Sequence, residues 1–189
     1  MPAIKMEVSL FLGHGFEEIE ANTPICFLRH AGISLQTVSV TGDLIVAGAH
    51  GVRVVADVLF EDADFTDTKM LVLPGGVPGA ENLSRHQGLC DLVRQFVTQG
   101  KYVAAICAGP MVLGKQGLLK NRTIVCYPGF ETFMSGANVV KGHSSVTDGN
   151  IITANGPGSA MLFSYNITKV LRGEDAARSM ADDMMVNYF

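Results

Sequence analysis

Short apolar runs that do not alternate with polar residues do most to limit what this chain can fold into. Glu7 to Leu12, Lys69 to Leu73 and Tyr102 to Ile106 are strand-length and almost wholly aliphatic or aromatic. Each stops at a glycine-bearing turn: Gly13-His14-Gly15, Pro74-Gly75-Gly76 and Cys107-Ala108-Gly109. A strand that is apolar on both faces needs cover on both faces. Between these runs lie longer stretches with helical spacing. Gln87 to Thr98 places Leu89, Leu92, Val93, Phe96 and Val97 on one face, and Ser159 to Leu171, closed by Gly173, reads the same way. Strands alternating with helices predict an α/β fold with a mostly parallel central sheet. In such sheets chemistry collects at the carboxyl ends of the strands.

The remaining elements follow from the same reasoning. Glu17 to about Ala31 is expected as a helix with Ile19, Phe27, Leu28 and Ala31 inward, kinked or broken at Pro24. Ile33 to Val40, Val52 to Val55, Thr123 to Cys126, Ser144 to Thr147 and Ile151 to Ala154 read as further strands. Pro110 suits the first position of a helix running on to Leu119. Glu174 to Met185 reads as a last helix, where Met180, Met184 and Met185 suggest packing or a subunit contact. No linker or repeat interrupts residues 1–189, so one domain is expected, and 48% hydrophobic content supplies a core for it. A net charge of −4 without a Lys/Arg cluster excludes nucleic acid and an anionic membrane surface as evident partners. No apolar run is long enough to span a bilayer, and Met1 to Glu7 shows no leader pattern, so a cytoplasmic protein is expected. Cys26, Cys90, Cys107 and Cys126 form no C-x-x-C, and the histidines are scattered, so no metal and no cofactor is expected.

Cys107 is the first candidate for chemistry. A buried strand runs through Ala104-Ala105-Ile106 into the thiol, then into Ala108-Gly109-Pro110. This is the strand–nucleophile–helix order of a nucleophile elbow. A helix N-terminus there would stabilise thiolate, the nucleophilic form. The plain alternative is a small core residue. Gly75 and Gly76 follow a second strand, and with Ala108 their N–H groups could form an oxyanion hole. Gly13-His14-Gly15 begins like a dinucleotide loop, but Glu18 stands at the third glycine position and would repel a pyrophosphate. Glu17 and Glu18 read as ordinary first-turn acids. Glu20 lies on the Phe16/Ile19 side, which predicts burial and a raised pKa. Cys26 and Cys90 read as packing, Cys126 as packing or a border of the pocket, and His86 and His143 as surface turn residues.

Together, Glu17-Glu18-Ile19-Glu20, Leu73-Pro74-Gly75-Gly76, Ala104 to Pro110 and Asn155-Gly156-Pro157-Gly158 resemble the ThiJ/PfpI superfamily, in the branch of the Parkinson-disease-associated deglycase. The resemblance covers essentially the whole chain. It implies a flavodoxin-like three-layer sandwich of the class I glutamine amidotransferase type and a homodimer. It implies Cys107 as nucleophile, Glu20 as its protonated partner, and Gly75, Gly76 and Ala108 around the bound oxygen. Tyr127, Asn155, Gly156, Pro157 and His14 are the expected substrate contacts. Three departures stand out. Ala108 occupies the position where peptidases of the superfamily carry His; Tyr127 replaces a His common in the branch; His30, His50 and Asn155 stand where some members have basic residues.

The expected activity is cofactor-free chemistry on a small reactive carbonyl, converting methylglyoxal to lactate without glutathione, or acting on early glycation adducts. Redox sensing or chaperone-like protection through oxidation of Cys107 is the alternative. A peptidase or amidase, weakened by Ala108, and a ligand-binding scaffold without turnover also stay open.

Overall fold

A computed structural model describes residues 5–187. Met1 to Ile4, part of the stretch read for a leader, lie outside the described residues. The elements, in order, are β1 (Val8–Leu12), α1 (Glu18–His30), β2 (Leu35–Ser39), β3 (Ile45–Ala47), β4 (Arg53–Val55), β5 (Val58–Leu59) and β6 (Met70–Leu73). There follow α2 (Gly79–Arg85), α3 (Gln87–Thr98), β7 (Tyr102–Ile106), α4 (Met111–Gly114), β8 (Thr123–Ile124) and β9 (Asn138–Val139). The chain ends with β10 (Ser145–Asp148), β11 (Ile151–Ala154), α5 (Ala160–Arg172) and α6 (Glu174–Asp183).

The main sheet has the order β10-β11-β7-β6-β1-β2-β5. All neighbours are parallel except β10 and β11, which form an antiparallel edge pair. β1, β6, β7 and β11 are buried along nearly their whole length, as their unbroken apolar runs require. The strand order reverses at β1: the chain moves outward through α1 to β2, then returns to β6 on the other side. With right-handed crossovers this puts α1, α5 and α6 on one face and α2, α3 and α4 on the other. The result is the α/β layering expected from the sequence. The loops after β1, β6, β7 and β11 gather at one end of the sheet.

The structure differs from the expected elements in several places. α1 runs through Pro24 without a break, because its buried face, Glu20, Ala21, Pro24, Phe27 and Leu28, is held against the sheet and α5. Ile19 points outward at 54% exposure. β3 was not expected, and pairs antiparallel with β4 as a hairpin outside the main sheet; α2 covers a stretch for which no element was expected. The helix after Pro110 is a single turn rather than a run to Leu119.

A small second cluster joins α1, α5 and α6: Phe27, Tyr165, Ala177, Met180, Ala181 and Val186. Met180 packs there as expected, whereas Met185 is exposed. Phe27 is fully buried at its centre. Phe27→Ala should cost about 3–5 kcal/mol, read as a lowered urea midpoint with an unchanged slope.

Candidate functional site

The site begins where β7 ends. Cys107 has φ +63°, a left-handed conformation that costs a non-glycine residue on the order of 1–3 kcal/mol. Its backbone is fixed on both sides: the N–H donates to the Ala154 carbonyl at 2.8 Å, and the C=O accepts from the Tyr127 N–H at 3.0 Å. Gly109 closes the turn with an N–H to the Ile106 carbonyl at 2.7 Å. A side chain at Gly109 would sit 2.4 Å from the Leu73 carbonyl oxygen, so β6 itself demands glycine there. The sharp turn presents a cysteine that is only 8% exposed as a residue.

Glu20 reaches this thiol from α1. Glu17 caps the helix, its Oε2 accepting the Glu20 N–H at 2.8 Å. The Glu20 side chain is fully buried, with Oε2 accepting the Gly75 N–H at 2.8 Å. Oε1 is buried without a full hydrogen bond, and the Cys107 thiol is the side chain that interacts with the carboxyl. Burial raises the Glu20 pKa to about 7, against the pull of Cys107 and the Gly75 amide, with the Glu17 charge adding to the rise. Burial likewise pushes the Cys107 thiol up, and the charge of Glu20 adds to it; the Ala108 and Gly76 amides oppose both. The thiol and carboxyl are therefore coupled. Protonating Glu20 removes the charge that disfavours thiolate and supplies a hydrogen-bond donor.

Two expectations change here. The single turn of α4 is too short to act as a charged helix end, so two amides, not a helix dipole, favour thiolate at Cys107. The Gly75 N–H is committed to Glu20, which leaves Gly76 and Ala108 as the amides aimed at the sulfur. Gly75 has another duty. A side chain on it would lie 2.6 Å from Glu20 Oε2 and 2.7 Å from Cys107 Cβ. Gly76, at φ +87°, has backbone of Gly15 and Glu17 within 2.4 Å of where a side chain would start.

The other expected residues divide. Tyr127 is next to the thiol through its backbone, is 46% exposed, and lies against Gly156. Asn155 follows the Ala154 that holds Cys107; its Nδ2 donates to the His143 carbonyl and its Oδ1 accepts from Ser159. Gly156 donates to Ser159 Oγ, and Pro157 opens the next turn on the same loop. His14 stands apart. Its Nδ1 accepts the Ala47 N–H, and it lines a groove with Val40, Thr41, Asn82, Arg85 and His86 that includes none of the thiol-site residues. Cys26 is exposed rather than packed, and His86 caps α3 by accepting the Leu89 N–H. Cys90 and Cys126 are buried as expected, and Cys126 lines a cavity of about 320 Å³ with Glu131, Lys141, His143 and Asn155.

Glu18, read as an ordinary first-turn acid, stands in the first turn of α1 but is also buried and bonded to His50. Nothing in the local pattern signals this, because His50 arrives from the β3–β4 hairpin. Glu17, Glu18 and His50 are, among the described residues, the one convergent group of ligating type, but hydrogen bonds already occupy both carboxylates. No helix among the described residues is long and apolar enough to cross a membrane.

Residues 6–170 match the DJ-1/PfpI family. Protein DJ-1 homolog B of Arabidopsis thaliana is 33% identical over 188 residues, 98% of this chain. This chain spans only 43% of that plant protein, less than half its length. Protein dj-1beta of Drosophila melanogaster is 30% identical over 180 residues, covering 95% of this chain and 96% of the fly protein. The solved structure of oxidized Toxoplasma gondii DJ-1 superposes with a TM-score of 0.90 at 33% identity, covering 97% of this chain and 100% of that one.

Folding raises the Glu20 pKa from 4.5 to about 7. Across that window the folded protein binds more protons than the unfolded chain, so stability falls as pH rises and levels off above it. Wild type should lose on the order of 3 kcal/mol relative to Glu20→Gln between about pH 4.5 and 8. Urea unfolding of both proteins at the two pH values measures this, and a difference independent of pH would refute the raised pKa.

Proposed function

Because the chain belongs to the DJ-1/PfpI family, we propose that it is a cysteine-dependent enzyme acting on small reactive carbonyls, with methylglyoxal as substrate and lactate as product. The convergence of a protonatable carboxyl and two amides on a thiol in a left-handed turn carries this reading.

The chemistry balances without an external oxidant or reductant. The Cys107 sulfur adds to the aldehyde carbon, forming a C–S bond as the C=O π bond opens. The thiol proton passes by way of Glu20 to the new oxygen, which gives a hemithioacetal whose oxygen meets the Gly76 and Ala108 N–H groups and leaves Glu20 as carboxylate. Glu20 takes the proton from that carbon and returns one to the neighbouring carbon. The former aldehyde carbon is oxidised to a thioester while the former ketone carbon is reduced to a hydroxyl-bearing one. Water then cleaves the C–S bond, releasing lactate and the thiol. A carboxyl with a pKa of about 7 suits both directions of proton transfer at neutral pH. Tyr127, Asn155, Gly156 and Pro157 would border the substrate, and Tyr127, as a phenol, would bind rather than act as base.

One observation favours a second reading, redox sensing. The Toxoplasma neighbour is described as oxidized. Hydrogen peroxide would take the Cys107 thiolate to sulfenate, releasing water, with protonated Glu20 as hydrogen-bond donor to the product. Under mild peroxide Cys107 would then oxidise before the exposed Cys26. We further read the exposed Ile19, Leu44, Ile45, Val52 and Val55, on the first turn of α1 and the hairpin bonded to it, as the face of a homodimer. Sedimentation should give twice the chain mass, and Val55→Asp should lower it.

The deciding assay is lactate release from methylglyoxal without glutathione. Cys107→Ala should abolish it, and Glu20→Gln should reduce turnover roughly 10²–10⁴-fold with the fold intact. Full activity in Glu20→Gln would remove Glu20 from the mechanism. Inactive wild type with Cys107 oxidised first would shift the reading to redox sensing.

A further inference from the structure

Glu18 and His50 form a contact that the proposed chemistry does not use. The segment after β1 is joined to the β3–β4 hairpin by backbone bonds: Gly15 N–H to the Ala47 carbonyl and Ala49 N–H to the Phe16 carbonyl, both at 2.8 Å. Across this seam the His14 ring accepts the Ala47 N–H, and the Glu18 carboxylate makes the larger set of side-chain bonds. Its Oε1 accepts the His50 N–H at 2.6 Å and the Val52 N–H at 3.4 Å. Its Oε2 pairs with His50 Nδ1 at 2.7 Å. The carboxylate fills the space beside Gly48, where a Cβ would lie 2.4 Å from Oε1. Glu18 is buried, while the His50 ring is 73% exposed.

The same turn of α1 is bonded on its other side to the thiol site. The Glu17 N–H donates to the Gly75 carbonyl at 3.1 Å, and Glu17 caps the Glu20 N–H. Gly76 packs without clearance on Glu17 and Gly15. Glu17 to Glu20 thus lies between two anchors, the hairpin and the Gly75–Gly76 turn. A shift of this turn would move the Glu20 carboxyl and the Gly76 amide together.

We propose that Glu18 and His50 are positioning residues for the thiol site, holding the first turn of α1 on the hairpin so that Glu20 stays dry and in contact with Cys107. This deepens the functional reading above, since it concerns the same thiol and carboxyl. The pair is also sensitive to pH. Burial acts to raise the Glu18 pKa, but the bonds from the His50 ring and the His50 and Val52 amides win and hold it low. His50 is raised, first by its hydrogen bond to Glu18, then by the charges of Glu18 and Glu17. The other charged or titratable groups around the seam are His14, bonded to Ala47, and Arg53 of β4. The charged pair is complete between the lowered Glu18 pKa and the raised His50 pKa, and loses its ionic part as pH rises through the latter or falls through the former.

The test is a ¹³C NMR titration of the Glu20 carboxyl in wild type, Glu18→Ala, His50→Ala and Glu18→Gln, with folding checked by circular dichroism. Wild type should titrate near 7. Water reaching a loosened Glu20 should lower the midpoint by at least half a unit in Glu18→Ala and in His50→Ala. Glu18→Gln can still accept both amides and should restore most of the midpoint. Folded alanine variants with an unmoved midpoint overturn the proposal, as does a wild-type Glu20 in the ordinary carboxylate range. The readout needs no turnover. A protein inactive on methylglyoxal but with shifted midpoints would keep the positioning role and lose only the carbonyl reading.

Discussion

Gly75 sits where three elements meet, and the site depends on its lack of a side chain. Its amide holds the Glu20 carboxyl, and its α-carbon packs against both that carboxyl and the Cys107 side chain. Any Cβ there would separate the two groups whose contact defines the chemistry. Gly109, under the carbonyl of Leu73, and Gly76, against Gly15 and Glu17, impose the same demand from neighbouring turns. The site is thus built by backbone brought unusually close to backbone. Main-chain amides then supply the polarity that side chains would otherwise provide.

That closeness determines the electrostatics. A thiol and a carboxyl excluded from water each resist ionisation, and each makes the other's charge costlier. The amides of Gly76 and Ala108 pull toward thiolate, and the amide of Gly75 pulls toward carboxylate. A proton shared between two reluctant acids is what a reaction needs when it must remove and return a proton within one turnover. The strained φ of Cys107 belongs to the same design, since it turns the sulfur away from the strand and toward these donors.

Much of this was legible along the chain. The buried runs of β1, β6 and β7 announced a parallel sheet, and their glycine turns marked where the site would lie. Glu20 and Cys107 stood out by their places relative to those strands. Other residues misled for physical reasons. Ile19 was grouped with Glu20, yet adjacent residues point about 100° apart round a helix, so Glu20 can be fully buried while Ile19 faces outward. His14 lies in the right loop, but its ring turns to the Ala47 amide. Pro24 should weaken α1, but packing of the helix face outweighs the lost hydrogen bond.

What the sequence determined by itself was the set of elements apolar on both faces, the turns that end them, and hence the layered sheet and the end of it where chemistry gathers. Those properties are local: they follow from periodicity, from glycine's freedom and from the short range of the backbone. Only the tertiary structure decided that the Gly75 amide serves Glu20 rather than an oxyanion, that Glu18 is buried on His50, and that the thiol is held up rather than lowered. Each of these depends on how closely segments distant in the chain approach, and on how much water that approach expels, which no local pattern encodes.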